Sequence, residues 1–201
     1  MVAIIDYGVG NLFSLCASFK AIGKEAVVTN DKKIIESADQ IILPGVGAFS
    51  DAAKKLRESG LDEIVLNEKS KPVMGICLGM QLLFDKSFEY GEHEGLGIIK
   101  GEVVPFELEN LKVPHMGWNP LKIKQESPLF KYVKDGDCVY FVHSYHAINC
   151  DENTLATVEY GTSVTAAVQK GNIFGCQFHP EKSGEVGLSI LRAFCEMEAL
   201  K

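Results

Sequence analysis

This sequence predicts an α/β fold: an open, mostly parallel sheet with helices on both faces and an antiparallel β extension in the C-terminal half. Two observations predict it. In the first half, short runs of consecutive apolar residues alternate with segments whose apolar residues recur at helical spacing, as parallel strands buried on both faces require. In the second half, strand-like runs follow one another across short polar or glycine-containing turns, the pattern of antiparallel pairing.

The first strand is Val2 to Ile5, ending at Asp6 and a turn containing Gly8 and Gly10. Asn11 is placed to cap a helix with the apolar stripe Leu12, Leu15, Cys16, Phe19 and Ile22, stopped by Gly23. Glu25 to Thr29 and Gln40 to Leu43 are the next strands. A helix carrying Phe49, Ala52, Ala53 and Leu56 follows, then another through Ile64 and Leu66. Pro72 to Ile76 is a strand that enters a helix through Leu82 and Leu83. Further strands are expected at Gly101 to Phe106, Val139 to His143, Leu155 to Glu159, Thr165 to Gln169 and Ile173 to Phe178. Lys170-Gly171-Asn172 is a hairpin turn, and Val186, Ile190, Leu191, Phe194 and Cys195 mark a closing helix. With no internal repeat or linker, residues 1–201 are expected to form one domain.

At 201 residues, 46% apolar and 23% charged, the composition excludes a disordered, collagenous or coiled-coil chain. Twenty basic against twenty-seven acidic residues give a net charge of −7, with no basic run longer than Lys32-Lys33 or Lys54-Lys55. That balance argues against nucleic-acid and anionic-membrane partners. The longest nearly apolar stretches are far too short to span a bilayer, and the opening Met-Val-Ala-Ile-Ile-Asp lacks the basic region of a signal peptide. A cytoplasmic enzyme with reduced thiols is expected. The cysteines at 16, 77, 138, 150, 176 and 195 show no CxxC pair or metal-ligand spacing, so neither metal nor organic cofactor is indicated.

Cys77 differs from the other five. Gly75-Ile-Cys-Leu-Gly79 follows an apolar strand and precedes a helical pattern, which is the arrangement of a nucleophile elbow with sulfur in place of a hydroxyl. Small residues two before and two after make room for the tight turn, and a helix N-terminus favours thiolate. The backbone N–H of Leu78 would face an oxyanion beside the sulfur. A thiol needs a base and the base an orienter. In Phe178-His179-Pro180-Glu181, the rigid proline can hold Glu181 against one nitrogen of His179 and leave the other for Cys77. Alone, His-Pro-Glu is a weak signal; paired with the elbow it describes a Cys-His-Glu triad. Pro44-Gly45-Val46-Gly47 is a second glycine loop after a strand, either a plain tight turn or a place where backbone approaches a ligand.

Together, Pro44-Gly-Val-Gly47, Gly75-Ile-Cys-Leu-Gly-Met-Gln81 and Phe178-His-Pro-Glu-Lys-Ser183 resemble the class I, triad-type glutamine amidotransferases, a flavodoxin-like architecture. Asp6-Tyr-Gly-Val-Gly-Asn11, Pro114-His-Met-Gly-Trp-Asn119 and Tyr140-Phe-Val-His-Ser-Tyr145 are similar to the glutaminase subunits of imidazole glycerol phosphate synthases. The resemblance spans the chain from first strand to last helix. It implies hydrolysis of L-glutamine through a γ-glutamyl thioester on Cys77, with His179 and Glu181 completing the triad and the N–H groups of Val46 and Leu78 forming the oxyanion hole. It implies that Gly45, Gly47, Gln81, Glu89, His143, Ser144 and Tyr145 bind glutamine; a carboxylate such as Glu89 is what a substrate ammonium needs. It further implies a (β/α)₈-barrel cyclase partner in a heterodimer, faced by Asn11, Trp118, Asn119, Tyr140 and Lys182, and low activity without that partner. From composition alone, Trp118 reads equally well as a core anchor. Three other readings stay open: the same chemistry feeding another synthase, a stand-alone hydrolase such as a γ-glutamyl hydrolase, and a non-catalytic scaffold. The last is disfavoured by the presence of Cys77, His179 and Glu181 together. His93 and His146 receive no role.

Overall fold

The computed structural model describes residues 1–198. In chain order the elements are β1 (Val2–Ile5), α1 (Leu12–Ala21), β2 (Ala26–Thr29), α2 (Lys32–Ser37), β3 (Gln40–Leu43), α3 (Phe49–Glu58), α4 (Asp62–Asn67), β4 (Val73–Ile76), α5 (Leu78–Gln81) and β5 (Phe84–Ser87). There follow β6 (His93–Glu94), β7 (Ile99–Pro105), β8 (His115–Pro120), β9 (Lys122–Ile123), β10 (Cys138–His143), β11 (Tyr145–Ile148), β12 (Thr154–Glu159), β13 (Ser163–Lys170), β14 (Ile173–Cys176) and α6 (Gly184–Cys195).

The main sheet has the order β2-β1-β3-β4-β14-β13-β12-β9. Its first five strands run parallel, and the last three continue it antiparallel. The strands are buried on both faces because their residues alternate between two cores. Val2, Ile4, Ile42, Met74 and Ile76 meet Leu15 and Phe19 of α1 and Ile190, Leu191 and Phe194 of α6. Ala3, Ile5, Ile41, Leu43 and Val73 meet Ile35 of α2, Phe49, Ala52 and Leu56 of α3, Ile64 of α4 and Leu78 and Met80 of α5. Each large side chain so buried contributes about 1.5–3 kcal/mol relative to exposure.

The differences from the sequence expectation are local. Helix α2 has only six residues, one of them buried, too few to show a period; the Asp31 carboxylate caps it by accepting from the Lys33 N–H. Asn11 stands at the N-cap position of α1 but makes no side-chain cap bond. Leu66 in α4 is exposed, while Ile64 and Val65 are buried. Helix α5 ends at Gln81, and Leu82 and Leu83 form a buried turn into β5. The strands β5, β6, β8, β9 and β11 have no counterpart in the sequence pattern. Of these, β8 contains the Trp118 segment: Gly117 opposes Phe141 and Trp118 opposes Tyr140 in an antiparallel pair with β10. The hairpin at Gly171-Asn172 does join β13 to β14, with Lys170 opposite Ile173.

Because β1, β3, β4 and β14 are parallel, their carboxyl ends lie on one edge. Four segments converge there: the Asp6–Asn11 turn, Pro44–Gly47, Cys77 and Gln177–Glu181. A doubly wound sheet forms its binding crevice at such an edge.

Candidate active site

Cys77 occupies the one-residue step between β4 and α5, with φ 54° and ψ −109°. An L-residue enters that region only when its surroundings impose it, at a cost of order 1–3 kcal/mol. Here the Cys77 N–H donates to the Cys176 carbonyl at 2.7 Å, and its own carbonyl accepts from the Gln81 N–H at 3.1 Å. The chain must therefore leave the sheet and begin a helix within one residue. The flanking glycines are a steric necessity: a Cβ on Gly75 would lie 2.5 Å from the Gly79 oxygen, and one on Gly79 only 1.9 Å from the Leu43 oxygen. Helix α5 has only four residues, too few to bring the dipole of a long helix to bear on the sulfur.

His179 enters from the end of β14. Its N–H donates to the Tyr140 carbonyl at 3.0 Å, and its Nδ1 lies 2.8 Å from Glu181 Oε1 across Pro180, with both side chains buried. Glu181 Oε2 is buried with no partner among the described residues. A carboxylate so poorly satisfied favours a positive charge beside it. Burial opposes charge on the imidazole, but the neighbouring Cys77 and Glu181 side chains, with their charges, outweigh it and push the His179 pKa up to about 9.

A cleft of 360 Å³ opens over these groups, lined by Val46, Gly47, Cys77, Leu78, Gln81, Glu89, Pro114, Val142, His143, Ser144, Tyr145, His179 and Lys182. Most of the residues singled out from sequence thus meet in one cavity. Gly45 does not line it; it packs behind, where a Cβ would come within 2.6 Å of the Gly79 nitrogen. Tyr7, which sequence reasoning misses, donates its buried hydroxyl to the Pro44 carbonyl at 2.6 Å and so ties the β1 turn to the Gly45–Gly47 loop. Burial first, and Cys77 second, raise its pKa, so the proton stays in that bond.

On the opposite rim, Ser144 is the single residue between β10, which pairs with β8, and β11, which pairs with β7. His143 fixes this switch. Its Nδ1 donates to the Tyr145 carbonyl at 2.8 Å, so its Nε2 accepts from His115 Nδ1 at 3.0 Å. Burial drives the His143 pKa down to about 3, so the ring stays neutral in this role. The Glu89 carboxylate accepts the N–H of Phe49, the first residue of α3. Gln81 turns its amide nitrogen to the Tyr145 carbonyl at 3.1 Å and to Gln177 Oε1 at 3.0 Å. Gln177, also absent from the sequence reading, reaches Cys77 Sγ at 3.6 Å. Its signal is a polar residue inside the apolar run from Ile173 to Phe178.

Trp118, Tyr140 and Lys182 form one cluster beside the cleft. The Trp118 and Tyr140 rings meet edge-on at 6.0 Å, and the Lys182 ammonium lies 5.9 Å from the Tyr140 ring centre. Trp118 is 54% exposed, which overturns the core-anchor alternative. Met116 on the same strand is also exposed. Asn119 is half-buried, its amide 2.8 Å from His115 Nε2, and Asn11 makes no contact with this cluster through a side-chain hydrogen bond. His146 is buried and stacked on Phe106. All six cysteines are free thiols, and among the described residues no group of three or more His, Cys, Asp or Glu is placed to hold a metal ion. No helix among them is long and apolar enough to cross a membrane.

A parallel sheet whose fourth strand delivers a strained cysteine to a buried His-Glu pair defines a class, and comparison with known proteins gives that class its name. The chain belongs to the class-I glutamine amidotransferases, an enzyme family whose profile matches residues 3–197. The imidazole glycerol phosphate synthase subunit HisH of Caldanaerobacter subterraneus subsp. tengcongensis is 53% identical over 201 residues, covering 98% of each chain. The subunit of the same name from Sulfurimonas denitrificans is 50% identical over 208 residues, covering 100% of each. Among solved structures, a glutamine amidotransferase superposes with a TM-score of 0.75 at 21% identity, covering 98% of each chain. PurLQS of Thermotoga maritima superposes at 0.73 with 23% identity, covering 96% of each. At such identities these two speak to the fold alone.

Proposed function

We propose that this chain, as one glutamine amidotransferase domain, is the glutaminase subunit of a cytoplasmic imidazole glycerol phosphate synthase. It hydrolyses L-glutamine and passes the ammonia to a (β/α)₈-barrel cyclase that makes imidazole glycerol phosphate and aminoimidazole carboxamide ribotide. The observation that carries the hydrolytic reading is the strained Cys77 sharing a cleft with His179, whose Nδ1 is held by buried Glu181 behind it. Relatives about half identical along their full length and named as HisH subunits support the pathway and the partner.

In this reading the Cys77 thiolate attacks the side-chain amide carbon of glutamine. The carbonyl electrons move onto oxygen, which accepts the Leu78 N–H and, after a turn of the glycine-flanked loop, the Val46 N–H. Protonated His179 gives its proton to the departing nitrogen, and ammonia leaves a γ-glutamyl thioester. Neutral His179 then takes a proton from water, whose oxygen attacks the thioester, releasing glutamate and the thiolate. Glu181 holds the imidazole in orientation. Glu89 and the carbonyl oxygen of Gln81 face the substrate ammonium, while Gly47, Ser144, Tyr145 and the His143 switch shape the rim. Gly45 acts as a spacer that lets the loop lie on α5. The exposed Trp118–Tyr140–Lys182 cluster, with Asn11 and Asn119, is the docking face.

The test is glutamate release with and without an imidazole glycerol phosphate synthase cyclase subunit and its ribotide ligand. Weak hydrolysis alone that rises steeply with the liganded cyclase is expected. Full-rate hydrolysis alone, indifferent to the cyclase, would leave a stand-alone hydrolase and remove the partner.

The raised His179 pKa makes a pH prediction. Its folded value of about 9 exceeds the ordinary 6.5, so the charged form stabilises the fold fully below about 6.5 and loses that contribution as pH rises through about 9. The proton donor disappears over the same range. In the liganded complex, kcat/KM should fall with a midpoint near 9, and Glu181→Gln should move that limb to lower pH. An unmoved limb in Glu181→Gln would mean that the carboxylate does not set the proton affinity of His179.

A further inference from the structure

Gln177 is fully buried, one residue past β14 and directly beside the elbow. Its orientation follows from counting donors. The Tyr145 carbonyl only accepts, so the Gln81 group 3.1 Å from it is the amide nitrogen. The same nitrogen carries a second N–H and lies 3.0 Å from the Gln177 side chain, which must answer with its carbonyl oxygen. The Gln177 amide nitrogen is then left to face Cys77 Sγ, at 3.6 Å. Turned the other way, two NH₂ groups would oppose each other in a buried site, at a cost of about 1–3 kcal/mol for each unsatisfied group. The three residues form a chain with one polarity, from the rim of the cleft to the sulfur.

We infer that Gln177 is a positioning residue for the nucleophile: its amide, oriented by Gln81 and the Tyr145 carbonyl, donates to Cys77 and holds the sulfur as thiolate opposite His179. A neutral thiol sulfur is a weak acceptor, whereas a thiolate gains a charge-assisted hydrogen bond, so the donation selects the charged form. Cys77 is nearly excluded from water, so this N–H stands where solvent would otherwise stabilise the charge. The inference rests on the reading of Cys77 as the nucleophile.

The experiment is alkylation of the full-length chain by iodoacetamide at pH 7 and pH 10, followed peptide by peptide in a mass spectrometer. Exposed Cys138 serves as the internal reference. In the unsubstituted chain the ratio of the pH 7 rate to the pH 10 rate should be higher for Cys77 than for Cys138. In Gln177→Met the Cys77 ratio should fall about tenfold, the equivalent of one charge-assisted hydrogen bond, with the pH 10 rate and the Cys138 ratio unchanged. Gln81→Met, which frees the Gln177 amide without removing it, should shift the ratio the same way by less, and carries the test if Gln177→Met does not fold. A Cys77 ratio unchanged in the folded variants overturns the inference and leaves the nucleophile intact. A Cys77 ratio equal to that of Cys138 in the unsubstituted chain strikes at the nucleophile itself.

Discussion

Replacing Cys77 with alanine is expected to lower glutamine hydrolysis by roughly 10⁴-fold or more, measured as glutamate release in the liganded complex. The size follows from the site. His179 and Glu181 only hold and move a proton, and in the absence of the sulfur there is nothing to form the thioester. Binding should survive, because the residues that face the amino acid are carried by α5, the segment after β5 and the β10–β11 switch, none of which depends on the thiol. Stability separates two further variants. Alanine at position 77 keeps the backbone at φ 54° and so keeps the strain. Glycine releases it. Against a relief of order 1–3 kcal/mol stands a glycine entropy cost of about 0.5–1 kcal/mol. Cys77→Gly should therefore be more stable than Cys77→Ala by about 1 kcal/mol in urea titrations, while both are inactive. Cys77→Ala with more than a few per cent of the original hydrolysis would remove the thioester mechanism. Equal urea midpoints for the two would show that the elbow stores no strain.

How much of this is legible in the sequence depends on whether the signal is periodic or relational. Val2–Ile5 and Gln40–Leu43 are marked by runs of apolar residues between turn signals, and their bounds coincide with β1 and β3. The α3 stripe likewise matches four buried side chains. Where an element is too short to complete a period, as in α2, or where its apolar faces are interrupted, as in His115-Met-Gly-Trp-Asn-Pro120, local pattern cannot reveal it. Strand β8 exists because β10 offers it a partner six residues long, a fact of tertiary structure. The motif residues Cys77, His179 and Glu181 can be named because elbow and His-Pro-Glu are local signatures. Gln177 and Tyr7 cannot, since each matters through a residue far along the chain: Cys77 across the β4–β14 pair, and Pro44 across β1–β3. Asn11 shows the opposite error, where a good capping residue in the right place makes no cap bond: its backbone stands at φ −89° and ψ 65°, outside the extended region that a capping residue adopts.

The glycine that flanks the elbow on its far side sets the second large effect. Gly79→Ala is expected to destabilise the chain by more than about 3 kcal/mol, at or beyond the upper end of overpacking effects. A Cβ there would stand 1.9 Å from the Leu43 carbonyl oxygen, less than the separation of any non-bonded carbon and oxygen. Neither side can retreat. Leu43 closes β3, a strand paired on one side with β1 and on the other with β4, and Gly79 lies in α5 with buried Leu78 and Met80 on either side. Relief would require lifting α5 from the sheet, which would carry Cys77 away from Gln177 and His179, so lost stability and lost activity should appear together. Gly23→Ala is the control. Gly23 sits at φ 71°, and a methyl group added to it would have nothing within 4 Å, so alanine there meets only the left-handed dihedral, at a cost of about 1–2 kcal/mol. A urea midpoint for Gly79→Ala as high as that for Gly23→Ala would mean that the sheet and α5 are not in the contact that fixes the nucleophile.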